Sequence, residues 1–137
     1  NQITTSEGSI DFGVRILKTP FLLIIGHSGC GAVETVLSGK KTQIPMIDRE
    51  LSCMNLKSKC MEEAIVENIN AQVERAMEKY QSIVDAGDLT VIGAVYDFKN
   101  DFGFGQGRVV LTNINGITDR QQVKDKYAAK VVNLHFL

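Results

Sequence analysis

Hydrophobic positions along the chain follow two patterns that alternate. Phe21-Leu22-Leu23-Ile24-Ile25 and Leu89-Thr90-Val91-Ile92-Gly93-Ala94-Val95-Tyr96 are nearly unbroken apolar runs, the pattern of strands buried on both faces of a parallel sheet. Between them, Ile65, Ile69, Val73, Ala76, Met77, Tyr80 and Val84 recur at the helical period, predicting a long helix over residues 62–84 that stops near Gly87. A shorter helix is predicted over residues 6–17, with Ser6 or Thr5 as N-cap, Ile10, Val14 and Leu17 along one face, and Thr19-Pro20 as terminator. Residues 31–37 read as another helix, halted at Ser38-Gly39, and residues 40–45 as a polar loop. Gly103-Phe104-Gly105-Gln106-Gly107 is a tight turn before a second, hairpin-type strand over residues 108–114. Residues 119–132 close the chain as a helix. Strands alternating with helices predict an α/β fold: a mainly parallel β-sheet flanked by helices, with an edge strand at the C-terminal side.

Composition narrows the class. The 137 residues, 44% hydrophobic and 23% charged, suit a single domain over residues 1–137 that buries its own core. A net charge of -1 and a pI near 6.1 leave no basic footprint for nucleic acid. The longest apolar run, residues 21–25, is far too short for a membrane span, and no basic-then-apolar leader is present. Three cysteines without paired spacing argue against a disulfide framework and for a reducing, cytoplasmic compartment. The chain opens at Asn1 without an initiator Met, as a fragment, a processed form or the ordered part of a longer chain would; the domain over residues 1–137 is expected to be N-terminally incomplete.

Candidate chemistry lies where the first apolar run breaks into glycines, at Gly26-His27-Ser28-Gly29-Cys30-Gly31-Ala32-Val33. Open α/β sheets bind ligands beyond the carboxyl ends of their strands. An imidazole and a thiolate three residues apart at such a place favour zinc over magnesium or calcium, which take hard oxygen donors. His27 and Cys30 are therefore the candidate metal ligands. Two donors do not make a zinc site, and at least one more must come from elsewhere. Competing motifs fail letter by letter: the phosphate loop lacks its Lys and hydroxyl after Gly31, the nucleophile elbow meets Cys30 where it needs Gly, and the dinucleotide pattern lacks its third Gly.

These residues resemble the β-class carbonic anhydrases. Residues 26–33 match the family's G-H-S-x-C-G-A-V segment. Ser9-Ile10-Asp11-Phe12-Gly13-Val14 resembles its S-[IL]-E-[YF]-A-V helix, Glu67-Asn68-Ile69 with Gln72-Val73 its E-N-V-x-x-Q-V stretch, and Ile92-Gly93-Ala94-Val95-Tyr96-Asp97 its G-x-x-Y-D strand. The resemblance implies zinc as cofactor, reversible hydration of carbon dioxide to bicarbonate by hydroxide attack in an apolar pocket, and a homodimer or a higher assembly of dimers. It makes His27 and Cys30 the second and third zinc ligands and puts Gly31 beside the substrate.

The family's first ligand, the Cys of a C-x-D-x-R segment whose Asp and Arg serve the catalytic site, has no counterpart here. Asn1-Gln2-Ile3-Thr4 resembles the stretch just after it, so the missing strand is expected directly before Asn1. Cys53-Met54-Asn55-Leu56-Lys57 imitates its spacing, but after the zinc segment and away from a strand end. The dimer interface is expected around Ile10 and Val14 of the first helix and the sheet edge near Val109 and Leu111. Two alternatives stand beside the enzyme reading: a non-catalytic, dimerising or regulatory relative, and a hydrolase of a sulfur analogue of carbon dioxide. His135 could be put forward as a proton shuttle, although Leu134, Phe136 and Leu137 around it read as a packing tail.

Overall fold

The protein is described by a computed structural model over residues 3–127 and 135–137. Four strands form one mixed sheet in the order β1 (Phe21–His27), β2 (Thr90–Asp97), β3 (Arg108–Ile114) and β4 (His135–Phe136). β1 runs parallel to β2, β2 antiparallel to β3, and β3 parallel to the short β4 at the far edge. The predicted helix over residues 31–37 is α2 (Gly31–Ser38), ended by Gly39 in the left-handed conformation. The long helix is α4 (Met61–Asp85), with Gly87 at φ +81° just beyond it.

At the N-terminus, α1 (Glu7–Asp11) passes directly into a π-helical turn, Phe12–Ile16, where the Leu17 N–H reaches back to the Phe12 carbonyl. This segment is tied to α4 by polar contacts around one carboxylate. Asp11 accepts from Tyr80 Oη at 3.0 Å, Lys79 Nζ at 2.7 Å and Arg15 Nε at 3.2 Å. The bond from Lys79 is the largest of the influences that hold the Asp11 carboxyl below its ordinary range, and Tyr80 and Arg15 reinforce it against partial desolvation. Just ahead of α1, the Ile3 N–H donates to Gln72 Oε1 at 2.8 Å.

α4 lies across one face of the sheet, burying Ala64, Ile65, Ile69, Val73, Ala76 and Tyr80 against Val91 and Val95 of β2, with Val14 and Val33 completing that core. Two glycines let it come close. A Cβ at Gly26 would stand 2.7 Å from Ile69 Cδ1, and one at Gly93 would stand 2.9 Å from Ile69 Cγ2. On the opposite face, Val123 of α5 (Arg120–Tyr127) packs with Ala94, Leu111 and Ile114. The β2–β3 register shifts at Gly93/Ala94, where Gly93 faces Asn113 and Ala94 faces Leu111, so Thr112 is the extra residue of a bulge.

Several expectations need correction. β1 is not buried on both faces: Leu22 and Ile24 turn toward the α4 core, but Phe21, Leu23 and Ile25 are 62%, 50% and 52% exposed. β1 is the terminal strand among the described residues, and the second-face cluster built on α5 involves β2 and β3 only. An unbroken apolar run thus marks surface that the described residues leave uncovered. The loop predicted at residues 40–45 leads into a helix the pattern did not show, α3 (Pro45–Leu51), which has Pro at its first position. The expected interface residues also shift. Val14 and Leu111 are core, 3% and 6% exposed, and β3 is no edge because Val110 and Leu111 pair with β4. Of the closing helix predicted over residues 119–132, the part beyond Tyr127 lies outside the described residues.

Candidate functional site

His27 is the last residue of β1 and Cys30 the N-cap of α2, so both sit on the strand-to-helix turn the sequence points to. Gly29 makes the turn possible at φ +64°, where a side chain would be strained. Cys30 has extended backbone angles and its carbonyl accepts the N–H of Glu34 at 3.0 Å, while its thiol makes no capping hydrogen bond. Cys30 is half-buried and its thiol forms no disulfide. The His27 ring is exposed on the face opposite α4, its Nδ1 lying 3.1 Å from the Ser28 carbonyl oxygen and its edge meeting Phe98 with centroids 5.9 Å apart. Gly31 opens α2 toward free space, with nothing within 4 Å of where a Cβ would stand.

Ser28, between the two donors, is 4% exposed and fixed at both ends. Its N–H donates to the Tyr96 carbonyl at 3.0 Å, and its Oγ accepts the Phe98 N–H at 2.8 Å. Beside it is Asp97, fully buried at the end of β2, whose carboxylate accepts N–H groups of Lys99 at 3.3 Å, Asp101 at 3.0 Å and Phe102 at 2.9 Å. Burial by itself would raise this carboxyl, but those amides and the Ser28 hydroxyl outweigh it and hold it below the ordinary carboxylate range. Sequence reasoning assigned no role to Ser28, Asp97 or Phe98. A carboxylate ending an apolar strand was the available signal, because such a group stays buried only when fully hydrogen-bonded.

The donor set fits zinc in kind. An imidazole with Nδ1 against a backbone carbonyl leaves Nε2 free for a metal, the arrangement usual for histidine ligands. It does not complete a zinc site in number, since no group of three or more His, Cys, Asp or Glu is poised for a metal among the described residues. Cys53 follows α3, with its thiol 3.6 Å from the Arg49 carbonyl, and exposed Cys60 precedes α4, with its thiol on Glu62 Oε2 at 2.9 Å. Neither sits at a strand end. His135 lies on β4, its ring tilted against Phe104 at 5.4 Å. Three strand spacings separate β4 from β1, about 14 Å, which is too far for direct proton transfer to a group on His27.

The sequence profile of the carbonic anhydrase family matches residues 1–104. The chain belongs to the carbonic anhydrase family. A curated carbonic anhydrase of Mycolicibacterium smegmatis (strain ATCC 700084 / mc(2)155) is 26% identical over 103 residues, covering 65% of this chain and 50% of that protein. Solved structures give the same fold. The β-carbonic anhydrase CcaA superposes with a TM-score of 0.63 at 20% identity, covering 78% of this chain and 53% of its own. The Coccomyxa β-carbonic anhydrase in complex with acetazolamide gives 0.60 at 20% identity, with 87% and 58% covered. CafA, the β-carbonic anhydrase of Aspergillus fumigatus, gives 0.55 at 21% identity, with 92% and 63% covered. This carbonic anhydrase family chain therefore spans about half the length of the curated relative, and under two thirds of each structure. Among the described residues no helix is long and apolar enough to cross a membrane.

Proposed function

We propose that the chain forms part of a zinc-dependent β-class carbonic anhydrase that interconverts carbon dioxide and bicarbonate. The observation that carries this reading is the position of His27 and Cys30 on the turn after β1, in a chain of this family. His27 would offer Nε2 and Cys30 its thiolate. The contact of His27 Nδ1 with the Ser28 carbonyl holds the ring in the orientation that keeps Nε2 outward. Zinc, when bound, supplies a nucleophile at neutral pH by lowering the pKa of water to about 7. Gly31 contributes a backbone N–H from the first turn of α2, where donors have no intrahelical acceptor and the helix end favours an anion such as bicarbonate. The third protein donor comes from outside the described residues, on an additional strand as the family resemblance implies.

The test is a stopped-flow pH-indicator assay with zinc supplied. The 137-residue chain should hydrate carbon dioxide close to the buffer rate, and a longer polypeptide that also supplies the third donor well above it. Strong activity from the shorter chain would overturn the missing-donor argument. A longer polypeptide with neither zinc nor activity would overturn the enzyme reading in favour of a non-catalytic relative.

The same reading gives the chain a partner. Phe21, Leu23 and Ile25 on β1, with Phe12, Ile16 and Leu17 on the N-terminal segment, are all half or more exposed, and β1 pairs on one side only among the described residues. Such an edge favours further strand pairing or a second copy. Sedimentation at micromolar concentration should give a dimer or a larger species; a stable monomer would count against it.

A further inference from the structure

We propose that Asp97 and Ser28 are positioning residues: together they set where His27 and Cys30 stand relative to each other. The inference rests on the zinc reading above and adds two residues to it. Asp97 is fully buried, and its carboxylate takes three backbone N–H groups of the loop that follows β2. Ser28, whose hydroxyl helps hold that carboxyl below its ordinary range and whose oxygen accepts the Phe98 N–H next to it, is the residue directly after His27 and two before Cys30.

The hydroxyl has one proton. Turned toward Asp97, it leaves the oxygen lone pairs free for the Phe98 N–H, at 2.8 Å. Ser28 is thereby held at two points, through its amide to the Tyr96 carbonyl and its oxygen to the Phe98 N–H, the residues on either side of Asp97. Two consequences reach the candidate ligands. Phe98, whose amide Ser28 holds, supports the His27 ring edge-on, with centroids 5.9 Å apart and planes at 72°. On the other side the chain passes from the fixed Ser28 through left-handed Gly29 into Cys30, so the freedom of the thiol is limited to a short tether. Partners behind the ligands commonly change metal affinity by about 10- to 100-fold when removed.

If Asp97 served only to cap the loop over residues 98–102, the Ser28 hydroxyl would be dispensable. Ser28→Ala, Ser28→Thr and Asp97→Asn, made in the protein with its full complement of ligands, separate the two roles. Ser28→Ala is expected to weaken zinc about 10- to 100-fold in competition with a chromophoric chelator. It should also alter the thiolate-to-metal charge-transfer band of the cobalt-substituted protein, with Ser28→Thr recovering most of both. Asp97→Asn should behave like Ser28→Ala and also lower thermal stability, because an amide cannot accept from every donor around it.

A second readout needs no metal: alkylation of Cys30, resolved from exposed Cys53 and Cys60 by peptide mass spectrometry, should be several-fold faster in Ser28→Ala than in wild type. Wild-type zinc affinity, an unchanged cobalt spectrum and an unchanged alkylation rate in Ser28→Ala would overturn the proposal, as would a threonine variant as defective as the alanine one. A wild-type protein that takes up no zinc or cobalt would remove the zinc reading alone. Cys30 alkylation would then decide the positioning claim by itself.

Discussion

Replacing either His27 or Cys30 by alanine is expected to remove zinc from a polypeptide that carries the third donor, taking the content from about one ion per chain to nearly none. The reason is the size of the donor set. A catalytic zinc is held by three protein ligands, so deleting one leaves a pair whose affinity no longer competes with solvent and buffer. The fold should survive, because the His27 ring is exposed and Cys30, though it packs against the edge of the α4 core, is only half-buried. Elemental analysis beside circular dichroism is the measurement. Full zinc retained by both single variants would remove the metal assignment. The equivalent changes at Cys53 and Cys60 should leave zinc in place, since neither sits at the end of a strand.

The second large effect is on stability. Ile69→Ala is expected to cost about 2–5 kcal/mol, the range for deleting most of a buried aliphatic side chain. Against a total of about 5–15 kcal/mol for a typical domain, that loss moves the melting temperature by many degrees. Ile69 is 2% exposed and fills the space that Gly26 and Gly93 leave open beneath α4. Gly26→Ala should itself be destabilising by about 1–3 kcal/mol through overpacking, because its Cβ would lie 2.7 Å from Ile69 Cδ1 and 3.0 Å from Cγ1. Ile69→Val removes the Cδ1 carbon. In that background the cost of Gly26→Ala should fall, giving a coupling that urea titrations of the four proteins can measure. Strict additivity would mean that Ile69 does not wedge against the strand.

The two mutation sets separate function from fold. Zinc is to be lost through side chains of the turn after β1, while stability is to be lost at a helix-to-strand contact on the other face from His27.

The sequence by itself determined the elements whose signal is local. The 3.6-residue recurrence from Ile65 to Tyr80 defines α4, since one helix face carries nearly all of its burial. The glycines after β1 and before β3 mark turns because Gly29, Gly103, Gly105 and Gly107 adopt positive φ. His27 and Cys30 were legible for the same reason: they stand three positions apart on one turn, so no distant contact has to be known. Tertiary structure decided whatever depends on neighbours in space. Phe21, Leu23 and Ile25 carry the letters of a strand buried on both faces, and only the sheet order shows that nothing described covers them. Val14 and Leu111 likewise look like surface candidates until α4, β4 and α5 are packed around them. Ser28 and Asp97 stand 69 positions apart. Their link exists because parallel pairing of β1 with β2 brings the ends of the two strands to the same edge, with His27 opposite Tyr96, and a contact made by strand pairing leaves no periodicity in the chain for a local pattern to reveal.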